Sequence, residues 1–323
     1  MPWPGEEHRG VESVRKILSG VLVVWLTVAT ADAEEEVGRW RWSKADKPVK
    51  VVVLGGSIGA WPAGAFHDYF RAVCRNVELR NLSKVGYGAP QLKQRFRAQV
   101  LKNPGARPRS DTPFEHWLIY SGGLNSVGSP AITIKETMAT FQLAHANGLR
   151  VVALSLTPWG DDSDRRWRDF GGLEYREKTQ RTVDYLMGRL PRSEALGPFA
   201  ETADAAWAPG ELPEVAVDLY DSVLRAKDAP PRDATRLDTL WGRNKKLQKQ
   251  LPDRAAAVTA ATALPSWFLR KELRSFDHVH PNGAGHKLMA EAVCPSLPQS
   301  WGCDCGGVHG LVWEGGSLRS DGK

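Results

Sequence analysis

The chain has 323 residues, of which 42% are hydrophobic and 25% charged, and its formal net charge at pH 7 is +6. This composition excludes a chain that is disordered throughout, and the length suffices for one large α/β domain. The basic residues are scattered and no nucleic-acid-binding motif accompanies them, so nucleic acid is a poor partner. They could attract an acidic envelope polymer, although solubility alone also accounts for such a charge.

The first 33 residues have the features of a secretory signal peptide. Arg15 and Lys16 precede the apolar run 17–31, which is shorter than the roughly 20 residues that cross a bilayer. Ala31 and Ala33 then have the small-x-small spacing of a cleavage site. We expect cleavage after Ala33 and export to the periplasm or the extracellular space, with no stable membrane span; an uncleaved anchor is the alternative. The exported chain would carry 40 basic and 33 acidic residues, a net charge of +7.

Strand and helix patterns alternate from residue 49 onwards, after an N-terminal extension at 34–48. The run 49–54 reads VKVVVL and stops at Gly55, which predicts a strand buried on both faces of a parallel sheet. Further strands are predicted at 77–82, 116–120, 151–156 and 215–220. Helices are predicted at 63–73, at 90–101, between Ser129 and Gly148, at 174–190, at 237–251, and in a last segment that includes Leu288, Met289 and Ala292.

This order predicts an α/β fold, a three-layer α/β/α sandwich around a parallel, five-stranded, flavodoxin-like sheet with right-handed crossovers. One domain at 49–295 is expected, because the sequence contains no internal repeat and no long linker. The pattern loosens at 158–275, which we interpret as a decorated insert region within that domain. The tail at 296–323 is rich in Gly and Trp and is expected to be irregular.

The four cysteines predict disulfides, because an exported chain meets an oxidising environment. Cys74 and Cys294 are the predicted pair. In a sheet of order 2-1-3-4-5 the first and last helices lie side by side, and each of these cysteines falls at the end of its helix. Cys303 or Cys305 could replace either partner. Zinc bound by the last three cysteines and His309 is the alternative, but the spacing matches no familiar zinc motif.

Four polar segments lie where ligands of open α/β sheets bind, beyond the carboxyl ends of the strands. They are GGSIG at 55–59, NLSKVGYG at 81–88 and GGLN at 122–125, each after a predicted strand, and FDHVHPNG at 276–283 before the last helix. A serine acts as a nucleophile when a histidine, itself oriented by a carboxylate, accepts its proton. Ser57 could be the nucleophile, and Asp277 and His280 have the spacing of an acid–base pair in a turn.

The oxyanion that forms in acyl transfer needs hydrogen-bond donors that are already in place. The N–H groups of Ser57 and Gly86 and the side-chain amide of Asn125 could converge on it. Taken alone, the glycines before Ser57 would indicate no more than a turn at a strand end. The run 277–280 could also bind a metal, but no further ligands accompany it, so neither a metal nor an organic cofactor is expected.

The four segments resemble, in the same order, the sequence blocks of the SGNH hydrolases, also called GDSL esterases and lipases. The resemblance implies that Ser57, His280 and Asp277 form a catalytic triad and that Ser57, Gly86 and Asn125 form an oxyanion hole. It also implies the SGNH hydrolase fold. Two blocks depart from the usual pattern: the first reads Gly-Gly-Ser instead of Gly-Asp-Ser, and the third reads Gly-Leu-Asn-Ser instead of Gly-x-Asn-Asp. Neither departure removes a residue with a direct chemical role.

The implied function is that of an exported serine esterase acting on a small-molecule or polysaccharide ester. Short acyl groups, most simply acetyl, are expected, because the region 158–275 contains few consecutive apolar residues with which to bind a lipid. Trp61 and Trp159, near predicted strand ends, are candidates for stacking on a sugar ring. His286 is expected on the surface of the last helix. An O-acyltransferase and a non-catalytic carbohydrate-binding relative are the alternatives, and the sequence leaves the oligomeric state open.

Overall fold

The computed structural model of the protein describes residues 40–108, 113–200 and 206–320. Its main sheet consists of five parallel strands: β1 (Val49–Gly55), β2 (Val77–Asn81), β3 (Glu115–Ser121), β4 (Leu149–Leu154) and β5 (Val215–Val217). Their order in the sheet is β2-β1-β3-β4-β5, which confirms the predicted α/β fold and strand order. The predicted signal peptide and its cleavage site lie outside the described residues.

Helices cover both faces of this sheet. The α-helices of the described ranges are α1 (Phe66–Val73), α2 (Ala89–Phe96), α3 (Pro130–Ala146), α4 (Gly171–Leu186), α5 (Arg192–Leu196), α6 (Ala234–Arg243), α7 (Lys245–Gln250), α8 (Arg254–Thr262), α9 (Gly283–Val293) and α10 (Cys305–His309). Because successive side chains of a strand point to opposite faces, Val51 and Val53 pack under α1 and α9, whereas Val52 and Leu54 pack under α2 and α3. The predicted three-layer arrangement is therefore confirmed.

The region 158–275 has an apolar cluster of its own, in which Trp159, Trp167 and Phe268 are buried together. Leu156, just after β4, belongs to the same cluster and joins it to the sheet. None of the helices in the described ranges is both long enough and apolar enough to cross a membrane.

Two elements of this region are shorter than predicted, and side-chain hydrogen bonds explain both. The helix predicted at 237–251 is divided into α6 and α7 at Asn244, whose side chain accepts the Leu247 N–H at 3.0 Å and so starts a new helix. The strand predicted at 215–220 ends at Val217. Beyond it, the Ser155 hydroxyl accepts the N–H groups of Leu219 at 2.8 Å and Tyr220 at 3.0 Å, in place of a ladder partner.

The tail predicted as irregular contains regular structure. After α10, the strands β6 (Leu311–Glu314) and β7 (Ser317–Ser320) form an antiparallel pair. The two residues between them, Gly315 and Gly316, have φ values of 58° and 83°, the left-handed conformation that a tight hairpin turn requires. The prediction missed this pair because its strands are short and their outer faces are exposed.

The predicted Cys74–Cys294 disulfide is wrong: Cys74 pairs with Cys303, and Cys294 pairs with Cys305. The ends of α1 and α9 do share one face of the sheet, but the chain after α9 returns along the end of α1 and brings Cys303 opposite Cys74. Three backbone hydrogen bonds hold it there: Arg75 N to Gly302 O (3.3 Å), Asn76 N to Trp301 O (3.2 Å) and Asp304 N to Val73 O (3.0 Å). With all four cysteines in disulfides, none is free to bind zinc.

Candidate functional site

Ser57 lies in the turn that follows β1, and it is half-buried. Two glycines let this turn pass close to its neighbours. A Cβ atom on Gly55 would lie 2.6 Å from the carbonyl oxygen of Ser121 at the end of β3, and one on Gly59 would lie 2.4 Å from Oγ of Ser83. No larger residue fits at either position without a shift, so the close approach of these backbones fixes Ser57 at the carboxyl edge of the sheet.

A continuous series of hydrogen bonds connects Asp277, His280 and Ser57. The His280 Nε2 atom is 2.7 Å from Ser57 Oγ, and its Nδ1 atom is 2.7 Å from Asp277 Oδ2. An ionised carboxylate can only accept, so Nδ1 carries the proton and Nε2 is left to accept the Ser57 hydroxyl. This arrangement can remove a proton from Ser57 and return it.

The Asp277 carboxylate is also held by the backbone of its own turn. Its Oδ1 atom accepts the N–H groups of Val279 and His280, each at 2.8 Å. Partial burial alone would raise the pKa of Asp277, but these two N–H groups and the His280 imidazole outweigh burial and lower that pKa below its ordinary value. Asp277 is therefore ionised at neutral pH, as an orienting carboxylate must be.

The start of the region 158–275 anchors the turn that carries Asp277 and His280. His278 Nε2 lies 3.0 Å from Oδ2 of the buried Asp164, and the Gly160 N–H donates to the His278 carbonyl oxygen at 2.6 Å. Arg274, just before the turn, donates to Asp161 Oδ2 at 2.6 Å. His278 thus has a structural partner, and no cluster of three or more His, Cys, Asp or Glu side chains that could hold a metal ion occurs in the described chain.

The predicted oxyanion donors come from three neighbouring segments. The Asn125 amide lies in the turn after β3, donates to the Tyr87 carbonyl oxygen at 3.1 Å, and would be 3.0 Å from a Cβ atom on Gly56. Within the described ranges the N–H groups of Ser57 and Gly86 have no hydrogen-bond partner. Gly86 has a φ of 79° with open space around it, so its backbone conformation, and not crowding, requires glycine.

Ser126, which stands where the SGNH hydrolases usually have an aspartate, connects two of these segments. Its hydroxyl accepts the Ala89 N–H at the start of α2 at 3.1 Å and donates to the Gly123 carbonyl oxygen at 3.2 Å. The first N–H groups of a helix have no partner within the helix, so this contact satisfies one of them. Ser126 therefore has a structural role beside Asn125, although it differs from the aspartate of the SGNH pattern.

The structure separates the two tryptophans proposed for substrate contact. Trp61 is half-buried, and its ring lies 6.3 Å from the His280 ring at an interplanar angle of 28°. Trp159 is only 1% exposed, its indole N–H donates to Thr179 Oγ1 at 3.1 Å, and it packs edge-on against Trp167. This placement corrects the expectation for Trp159: the chain after β4 turns its ring into the apolar cluster, where it cannot meet a substrate.

The position of His286 also differs from the expectation. This residue of α9 is fully buried, and in the described structure neither ring nitrogen has a hydrogen-bond partner. Its ring packs 5.3 Å from that of Trp61. Burial, together with the neighbouring His67 and His280, lowers the pKa of His286 to about 3, so the imidazole is neutral. The face of α9 that was expected to be exposed instead packs beneath Trp61.

Sequence reasoning missed Phe276. Its ring lies 5.9 Å from the His280 ring at an interplanar angle of 23°, yet the side chain is 86% exposed. Its place directly before Asp277 was the available signal.

Sequence reasoning also missed a small pocket beside Ser57, which has a volume of about 20 Å³. Ile58, Leu124 and Leu156 contribute its larger apolar side chains, and Ser155 and Thr157 also line it. The predicted strand 151–156 placed Ser155 and Leu156 within β4, whereas β4 ends at Leu154 and the next residues turn towards the site.

No protein-family model matches the chain, and no curated protein matches its sequence. Solved structures resemble it at low identity. A GDSL-like lipase from Bacteroides thetaiotaomicron is 16% identical, with 79% of this chain and 90% of that chain covered and a TM-score of 0.44. A member of the lipolytic G-D-S-L family from Veillonella parvula is 15% identical, with 77% and 98% covered and a TM-score of 0.44. An acetyl xylan esterase is 15% identical, with 77% and 100% covered and a TM-score of 0.40.

Proposed function

We propose that this chain is an exported serine esterase with Ser57 as nucleophile, His280 as general base and acid, and Asp277 as the orienting carboxylate. The observation that carries the proposal is the series of two 2.7 Å contacts from Asp277 through His280 to Ser57. Residues more than 200 positions apart meet here in the arrangement that nucleophilic catalysis requires. A purely structural turn would not need a serine hydroxyl aligned on a histidine that is itself aligned on a carboxylate.

The proposed reaction proceeds through an acyl-enzyme. Ser57 Oγ forms a bond to the ester carbonyl carbon while its proton passes to His280 Nε2, and Asp277 stabilises the imidazolium. The oxyanion accepts hydrogen bonds from the N–H groups of Ser57 and Gly86 and from the Asn125 amide. The carbon–oxygen bond to the alcohol then breaks, and the alcohol oxygen takes the proton from His280. A water molecule deprotonated by His280 attacks the acyl-enzyme, which releases the acid and restores Ser57.

The pocket beside Ser57 supports a short acyl group. Its lining includes Ser57 and Asn125 but no residue of the segment 275–282. The alcohol must leave next to His280, so the pocket is on the side of the carbonyl carbon that remains for the acyl group. Its volume of about 20 Å³ is only slightly more than the roughly 10–15 Å³ that holds one water molecule. A group as small as an acetyl methyl is therefore the acyl group that this space suits best.

Two disulfides support export, because such bonds form and persist in oxidising compartments. The signal-peptide features of the first 33 residues agree with this compartment. Export brings the enzyme to extracellular carbohydrates and envelope polymers, and the half-buried Trp61 ring beside His280 suits a sugar ester. We therefore propose acetyl esters of a carbohydrate or envelope polymer as the substrate.

A fluorophosphonate probe tests the proposal, because it reacts with an activated serine. We expect labelling of the purified protein and of the Ser83→Ala variant, which removes a neighbouring hydroxyl, and no labelling of Ser57→Ala. Absence of labelling in the unmodified protein would favour a non-catalytic binding protein. Hydrolysis of acetyl, butyryl and decanoyl esters of one alcohol then tests the acyl length, and a preference for decanoyl would contradict it. Acetyl transfer to an added sugar in excess of acetate release would identify an acyltransferase.

A further inference from the structure

Phe276 is the most exposed large apolar side chain in the described ranges, at 86%. Burying a phenylalanine side chain typically stabilises a protein by about 1.5–3 kcal/mol, and this chain forgoes that gain at one of the four segments of the site. The ring nevertheless has a defined position, since it stacks on the His280 imidazole with 5.9 Å between ring centroids. This contact covers only a small part of the ring, so most of its surface remains open to a ligand.

The proposed reaction determines what lies beside this ring. The alcohol oxygen of the ester must approach His280 Nε2 to receive its proton, so the body of the alcohol extends along the imidazole. The acyl group lies on the other side of the carbonyl carbon, in the pocket lined by Leu124 and Leu156. Phe276 contacts His280 and lines no part of that pocket, so it can contact the leaving alcohol and not the acyl group.

We propose that Phe276 binds the alcohol part of the substrate and that this alcohol is a sugar, stacked through one face of its pyranose ring. The inference rests on the proposed esterase function and deepens it by assigning the residue that binds the leaving group. A flat aromatic face suits the C–H groups on one face of a sugar, whose hydroxyls then remain in water.

An alkyl alcohol would need several apolar side chains next to one another, whereas the exposed large apolar side chains of the described ranges come from separate segments of the chain. The other exposed large apolar side chains are Val85, Ile132, Phe199 and Val223. Of these, only Val85 belongs to one of the four segments. The side chains that follow Phe276 are Asp277 and His278, both polar and partly exposed. A single aromatic face among polar groups matches a sugar better than a lipid chain.

Acetate esters of different alcohols test this inference, because they share one acyl group. For a monoacetylated methyl glucopyranoside, we expect Phe276→Ala to raise KM and to lower kcat/KM roughly 3- to 10-fold, as the loss of one aromatic contact would. For ethyl acetate, which has no ring, the change should be less than about twofold. Phe276→Trp should restore kcat/KM for the sugar ester. Phe199→Ala, which removes an exposed phenylalanine near Lys135, is the matched control. It should leave kcat/KM unchanged for both substrates.

Equal losses on both esters would overturn the inference, because Phe276 would then act only through His280. No loss on either ester would also overturn it, and so would a greater loss on octyl acetate than on the sugar ester. If the unmodified protein hydrolyses none of these esters, the proposed function fails. A measurement of sugar binding then tests the inference about Phe276 separately. Methyl glucopyranoside should then bind more weakly to the Ser57→Ala, Phe276→Ala double variant than to Ser57→Ala alone. An unchanged Kd, or no binding to either variant, would show that Phe276 does not bind a sugar.

Discussion

The Asn125→Ala variant distinguishes a catalytic role of this amide from a structural one. The two roles predict losses of very different size in stability and in turnover. The exposed Asn125 side chain donates one hydrogen bond, to the Tyr87 carbonyl oxygen at 3.1 Å. Its loss should lower the free energy of unfolding by about 1 kcal/mol or less. Loss of one oxyanion donor, by contrast, should lower kcat roughly 100- to 1,000-fold, equivalent to about 2.7–4 kcal/mol. KM should change little, because the donor acts mainly in the transition state.

Steady-state kinetics on a p-nitrophenyl acetate substrate and denaturant unfolding of the same preparations measure the two effects. Asn147→Ala is a matched control, since the exposed Asn147 amide also donates one hydrogen bond to a backbone carbonyl oxygen, that of Leu143 at 2.8 Å. It should lose a similar amount of stability and keep its turnover. If Asn125→Ala retains the kcat of the unmodified protein, Asn125 only supports the turn, and the assignment of the oxyanion hole is refuted.

Two further predictions concern stability. Replacing Cys74 and Cys303 by alanine should lower the free energy of unfolding by about 5 kcal/mol, and replacing Cys294 and Cys305 by about 3 kcal/mol, because the disulfides close loops with sequence separations of 229 and 11. Denaturant unfolding that gave equal losses would contradict this pairing. The pKa of Asp277 is lowered by folding, so its stabilisation is present above the ordinary carboxyl pKa and lost as pH falls through the folded value. Asp277→Asn should therefore reduce the difference in unfolding free energy between pH 7 and pH 3, and an unchanged difference would count against a lowered pKa.

The three central strands of the sheet could be predicted because they are buried on both faces, whereas β2 and β5 at its edges are only partly buried. The run 49–54 needs apolar, β-branched residues at almost every position, and this signal exceeds that of any surface helix. Lys50 is the exception in the run, and it is accommodated by a hydrogen bond to Glu78 at 2.7 Å. Parallel strands bring their carboxyl ends to one edge, so the same pattern also predicted that Ser57 and Asn125 would lie near each other.

The positions that sequence could not predict depend on how distant segments pack. The cysteine pairing follows from the return of the chain past the end of α1, which no local pattern encodes. Trp159 and His286 have side chains that occur both at surfaces and in cores. Both are buried here because of the distant segments that pack around them. Phe276 shows the reverse case, since a side chain of a usually buried type is exposed here beside His280.

The last prediction concerns the pocket beside Ser57. We expect its two leucines to limit the length of the acyl chain. Leu124 is half-buried and Leu156 is 4% exposed, and both line a space of about 20 Å³ beside Ser57. Replacing either with alanine removes three carbon atoms from the wall, enough room for the two additional methylenes of a butyryl group. A methylene in an apolar pocket is worth about 1–3 kcal/mol. We therefore expect kcat/KM for butyryl relative to acetyl esters to rise about tenfold or more.

Leu124→Ala is the safer variant, because truncating the more buried Leu156 should also lower stability by about 2–5 kcal/mol. Leu240→Ala, which truncates a half-buried leucine on α6, is the matched control and should leave the butyryl-to-acetyl ratio unchanged. The ratio is informative even when total activity falls, since both esters report on the same preparation. If it stays constant in Leu124→Ala and in a folded Leu156→Ala, the acyl group does not enter this pocket, and the size argument for acetyl esters no longer holds.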